Sequence, residues 1–168
     1  LFKKFIFDGI RFPENKMTED AFIFFDILEK VNGVYISAER KYFYRMRDNS
    51  VTHSEFNPKL LDCLDLNEYF LKLAYTKYQL LIPKIIIKCL RVDYFVLSKL
   101  VISKQLSENY RTAIYLQKKM RKNINSIIKT SELNIIEKIG FLSLIINFNL
   151  FRYLLKSKNF MKLLIGKK

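Results

Sequence analysis

Arg11-Phe12-Pro13-Glu14-Asn15-Lys16-Met17-Thr18-Glu19-Asp20-Ala21-Phe22 sets two adjacent carboxylates at the start of an apolar-periodic segment, directly after a proline turn. Acids in a first helical turn complement the positive end of the helix dipole, worth about 0.3 to 1 kcal/mol each, so capping alone could account for them. A carboxylate at a helix entrance can also be chemistry. Thr18 is the expected cap of a helix running to about Asn32, with Phe22, Phe25, Ile27, Leu28 and Val31 supplying apolar faces and Asn32-Gly33 a left-handed stop.

Beyond that helix, Val34-Tyr35-Ile36 and Lys41 to Arg47 read as two short strands, rich in aromatic and β-branched residues. The second belongs to Tyr42-Phe43-Tyr44-Arg45-Met46-Arg47-Asp48-Asn49-Ser50-Val51-Thr52. Alternate strand residues share a face, so Arg45 and Arg47 would point the same way with Cα atoms about 6.6 Å apart. That separation suits two guanidinium groups on successive phosphates, which Arg engages bidentately and Lys does not. A solvated strand face beside Tyr42, Tyr44 and Met46 is the plainer alternative.

Taken as an ordered series, these pieces resemble the second half of the catalytic domain of bacterial family 2 glycosyltransferases, the inverting nucleotide-sugar enzymes of capsular and surface polysaccharide synthesis. The series is the basic-aromatic start Leu1-Phe2-Lys3-Lys4, the turn Phe12-Pro13-Glu14, the pair Glu19-Asp20, an aromatic-rich helix and the stretch from Tyr42 to Ser50. It covers residues 1–57. The resemblance implies a mainly α chain with a small β element: the acceptor-side, C-terminal portion of a GT-A-like α/β domain over 1–57, followed by a basic helical bundle over 58–168. It implies Asp20 as the catalytic base that deprotonates the acceptor hydroxyl, with Glu19 contributing to acceptor binding or helix entry. Arg45 and Arg47 become candidates for the donor diphosphate, and Ser50 and His53, on the loop that follows, secondary candidates for substrate binding.

The same resemblance implies a nucleotide-sugar donor, a saccharide or lipid-linked acceptor, and a divalent cation, Mn²⁺ or Mg²⁺, in the full-length enzyme. That cation would be held by an Asp-x-Asp motif in a nucleotide-binding half preceding Leu1, so the chain is expected to be an inactive fragment that binds no metal itself. Asp62 and Asp65 are too far apart in sequence for the motif, and His53, Cys63 and Cys89 stand singly, without metal-ligand spacing. The two cysteines read as buried free thiols of a reducing compartment. With no Trp, and so no Gln-x-x-Arg-Trp motif of processive synthases, single addition is favoured over polymerisation.

With 168 residues, half of them apolar, the chain can bury a core. It carries no leader pattern and no run of eighteen uncharged apolar residues, so the expectation is a cytoplasmic protein, peripheral at most on the inner face of the plasma membrane. Net charge is +14 and uneven: residues 1–60 hold 10 Lys/Arg against 9 Asp/Glu, residues 61–168 hold 20 against 7. An excess of +13 on one part implies an anionic partner.

That basic part reads as helices. Asn57-Pro58 opens the first, with Leu60, Leu61, Leu64, Leu71 and Ala74 at helical spacing, and Pro83 breaks whatever precedes it. Three more follow over about 84–105, 108–129 and 132–157, the last two entered through Ser107 and Ser131 caps. Residues 139–151 are apolar but for Ser and Asn, and are followed by Arg152, Lys156, Lys158, Lys162, Lys167 and Lys168. This end reads either as a core helix or as a cationic membrane-surface segment. The alternative to an enzyme is therefore a basic helical module for membrane docking, homodimerisation or nucleic-acid binding, the last disfavoured because no helix-turn-helix glycine or RNA-binding motif is present.

Overall fold

The computed structural model describes residues 2–43, 45 and 56–156. Of these, 69% are helical and none lies in a strand. The expected α/β portion is therefore corrected: the described residues form an all-helical fold. Val34, Tyr35, Ile36, Tyr42 and Phe43 are irregular and at least 67% exposed. Strand propensity reflects fitness for a pleated, half-buried surface, and with no neighbouring strand among the described residues these side chains have no sheet to join. Tyr44, Met46 and Arg47 of the second expected strand lie outside the described residues.

The chain divides into two compact units, Leu1–Leu66 and Asn67–Lys168. The first opens with a 3-10 turn, Lys4–Phe7, followed by α1 (Glu19–Phe22) and α2 (Phe24–Glu29). Its core joins Ile6, Ile10, Ile23 and Ile27, flanked by Phe7 and Val31. The single helix expected from Thr18 to Asn32 is thus two short ones, parted at Ile23, whose backbone (φ −89°, ψ −1°) sits at the edge of the right-handed helical region while its side chain is buried. Thr18 does not cap. It lies in the left-handed region at φ 60°, and its hydroxyl donates to the Met17 carbonyl. Gly33 does not supply the left-handed stop; the positive φ angles of the described residues belong to Gly9, Asn15 and Thr18.

Asn57 and Pro58 open a helix as their chemistry dictates. The Asn57 side chain accepts the Lys59 N–H at 3.0 Å, Pro58 fills a position that needs no N–H, and the 3-10 turn Pro58–Leu61 runs into α3 (Asp62–Thr76). The division between units falls within α3.

In the second unit, α4 (Ile82–Ile102) begins with Pro83 in its first turn and packs against α5 (Tyr110–Lys122), α6 (Ile124–Lys129) and α8 (Phe148–Lys156); α7 (Ile135–Ile146) packs on α5, α6 and α8. Val96, Leu97, Leu100 and Val101 of α4, Leu116 and Met120 of α5, Ile127 of α6 and Leu144 of α7 are fully buried. The two long C-terminal helices expected from periodicity are each broken, at Asn123 and at Asn147. Nor do Ser107 and Ser131 cap. Asn134 does, accepting from Ile136 N and Glu137 N at 2.9 Å while the Glu137 carboxylate takes the Asn134 N–H, a reciprocal box that satisfies the donors a helix start leaves open.

Two features of this core carry polar or steric constraint. Asp93 of α4 is fully buried; Asn67 donates to its Oδ1 at 2.8 Å and also to the Cys89 carbonyl at 3.0 Å. Lys119 Nζ lies 2.8 Å from Oδ2 as a charge partner without the alignment of a hydrogen bond. Burial pushes the Asp93 carboxyl up, against the pull of Lys119 and Asn67. Gly140 of α7 faces Tyr94, where a Cβ would stand 2.5 Å from the phenol oxygen. The Tyr94 ring lies 4.6 Å from Phe141 with the planes tilted by 35°, and meets Phe151 edge-on at 6.0 Å. Among the described residues no helix is long and apolar enough to cross a membrane.

Candidate functional site

Glu19 and Asp20 form the first turn of α1, and both are exposed. Asp20 Oδ1 accepts the Ala21 N–H at 2.9 Å, which orients the carboxylate at the positive end of its helix. The turn that delivers the pair is clasped to the start of α3. Lys16 Nζ lies 3.2 Å from Asp62 and 2.6 Å from Asp65, and Met17 N–H donates to the second Asp62 oxygen at 3.1 Å. Asn15 and Thr18, both at positive φ, bracket the clasped residues and give the turn its reversal.

The clasp has its own electrostatics. The Met17 N–H, and after it Lys16, hold the Asp62 carboxyl below the usual range despite some desolvation. Hydrogen bonds from Lys16 to Asp65 and then Asp62 raise the lysine. Cys63, one residue along, is buried and its thiol is pushed up by that burial, which leaves it a packing residue rather than a nucleophile.

Sequence reasoning missed this clasp. Asp62 and Asp65 do not have the spacing of an Asp-x-Asp metal motif, but at i and i+3 on a helical first turn they face one way and receive one ammonium. The signal available was that spacing; the partner, 46 residues upstream, was not readable. With Lys16 seated between them, the two carboxylates do not fit a divalent cation, and among the described residues no three His, Cys, Asp or Glu side chains converge as a metal site.

Of the other expected site residues, Arg45 is exposed, and among the described residues no ion pair links it to Glu19 or Asp20. Arg47, Ser50 and His53 lie outside the described residues. The structure thus brings Glu19 and Asp20 together at one helix entrance. In the second unit an open groove of about 390 Å³ runs between the first turns of α4 and α6, lined by Pro83, Ile86, Asn125, Lys129 and Glu132 among others. None of the expected site residues lines it. No family model, curated protein or solved structure matches this chain.

Proposed function

We propose that the chain is the acceptor-side part of an inverting glycosyltransferase that moves a sugar from a nucleotide-diphosphate donor to a saccharide or lipid-linked acceptor. One observation carries the reading: Asp20 stands exposed at the entrance of α1, oriented by the Ala21 N–H and delivered by a turn locked to α3, at the position of the ordered series where the family resemblance calls for a base. The proposal concerns this acid and its setting, not a sheet.

Inverting transfer needs a group that takes the acceptor's proton as its oxygen attacks the anomeric carbon and the diphosphate leaves from the opposite face. An exposed carboxylate can meet a bulky acceptor hydroxyl. A clasped backbone keeps it in place, so less ordering is required in the transition state. Glu19, next in the same turn, is placed to hydrogen-bond a neighbouring acceptor hydroxyl. Arg45 and Arg47 remain the proposed diphosphate contacts, and the divalent cation is proposed to be held by residues outside this chain.

The test is transfer from several nucleotide sugars by the protein carrying this chain, with Asp20→Asn compared to the parent. Donor affinity within a few-fold and lost transfer support the base; retained transfer removes Asp20 from the mechanism.

A further inference from the structure

The segment read as either core or membrane surface includes most of α7, and that helix is buried on one side and exposed on the other. Gly140, Phe141, Ser143, Leu144 and Ile145 of α7 are buried. Ile135, Ile139, Leu142 and Ile146, spaced four, three and four residues apart, fall on a single stripe of the remaining side. Ile135 is 69% exposed, Ile139 41% and Ile146 66%, so the face that meets water is the aliphatic one. An ordinary surface helix shows the reverse, and a helix apolar all round is normally covered on every side. The charges of α7 do not relieve this: Glu137 is engaged by Arg91 and by the Asn134 cap, and Lys138 donates to the Ile128 carbonyl.

We infer that the α7 stripe is a docking surface for an anionic lipid membrane. Charge selects the occupant. Residues 61–168 carry +13, so a second copy would bring the same sign to the contact, while an anionic leaflet brings the opposite one. On α5, Arg111, Tyr115, Lys118 and Lys122 share a second exposed stripe on a helix without a single acid. A nucleic acid would use those cations but leave Ile135, Ile139 and Ile146 in water, whereas an anionic bilayer surface offers both an apolar boundary for such side chains and a charge opposite to these cations. The twelve residues of α7 span about 18 Å, which suits a helix lying in the interface and not one crossing it.

This inference stands apart from the sugar-transfer reading and is tested without substrate. The full chain is floated with vesicles of phosphatidylcholine alone or with added phosphatidylglycerol, at low and high salt, alongside Ile135→Ser/Ile146→Ser. Both positions are largely exposed, so circular dichroism and thermal midpoint should match the parent. The parent should float with the anionic vesicles, less so as salt rises, and the double variant should partition about tenfold more weakly. No recovery on anionic vesicles overturns the inference. So does a double variant that binds as the parent does, which would leave attraction by charge alone, or a dimer that light scattering shows to be abolished by the serines, which would assign the stripe to a second copy.

Discussion

Each unit of this molecule holds an acid that decides something, and the two are treated in opposite ways. In Leu1–Leu66, Asp20 stands in solvent on a four-residue helix, and the neighbouring fold is arranged to hold its backbone still. In Asn67–Lys168, Asp93 is fully buried and is itself held by Asn67 and Lys119. An exposed carboxylate contributes little to stability and is free to react. A buried one is costly to ionise, so its partners become indispensable to the fold. The contrast predicts that substituting Asp20 shows in the proposed transfer, and that substituting the partners of Asp93 shows in stability.

The sharpest separation should come from Asp20→Asn: with Asp20 as the proposed base, the substitution is expected to lower transfer by the protein carrying this chain about 10²- to 10⁴-fold, the usual worth of a positioned base, while the urea midpoint stays at the parental value. A large loss of stability with Asp20→Asn would break the contrast. Next is Lys119→Met, which strands the Asp93 charge and should cost about 3 to 5 kcal/mol by urea denaturation. Adding Asp93→Leu should restore much of that loss, because an apolar pair of similar volume removes the buried charge altogether. Smaller again is Gly140→Ala, where a methyl driven against the packed Tyr94 ring is expected to cost about 1 to 3 kcal/mol. Tyr94→Phe in the same chain should return part of it, since the phenol oxygen is the nearest obstacle.

The smallest stability effect should follow Lys16→Ala, because exposed ion pairs are weak and screened. Its value lies in pH. Asp62 is depressed in the fold, so its contribution is present above the ordinary carboxylate range and is lost as pH falls through the lowered value. Lys16 is raised, so its contribution is present at neutral pH and is lost only as pH climbs through a value above that of a free lysine. Asp93 runs the other way. A raised carboxyl means the folded state holds its proton longer, so the cost of ionising it appears as pH rises and is relieved by acid. Stability measured from neutral pH into the carboxylate range should therefore show the first unit weakening, an effect absent from Asp62→Ala, and a compensating term absent from Asp93→Leu.

What could be read in advance divides along similar lines. Asn57-Pro58 was legible as a helix entry because cap and proline act locally, and Pro83 because it forbids continuation of what precedes it. Of the five residues at helical spacing, Leu60 and Ala74 are buried while Leu61, Leu64 and Leu71 are half-buried, so the period marks the helix better than it marks the core. The breaks at Asn123 and Asn147 did not, since apolar spacing resumes on the far side of each and hides a change of axis. Ser131 was read as a cap although Asn134, followed three residues later by Glu137, is the stronger signature. The strands expected over 34–36 and 41–47 rest on propensity and, for the second, on the family resemblance, and neither supplies a partner strand. At the candidate site the pair Glu19-Asp20 was visible as text, but the clasp behind it joins residues far apart in sequence, which only folding brings together.

The two cysteines fall one in each unit, Cys63 at 8% exposure and Cys89 at 1%, and neither is bonded to the other. Burial pushes Cys89 to about 11, so at mildly alkaline pH only about one part in a thousand is thiolate even before access is considered. An alkylating reagent must therefore wait for a breathing motion that bares the sulfur, and the rate at which each cysteine gains mass becomes a clock for the local opening of its own half of the chain. Peptide-resolved mass spectrometry would read the two clocks in one tube, with no residue changed.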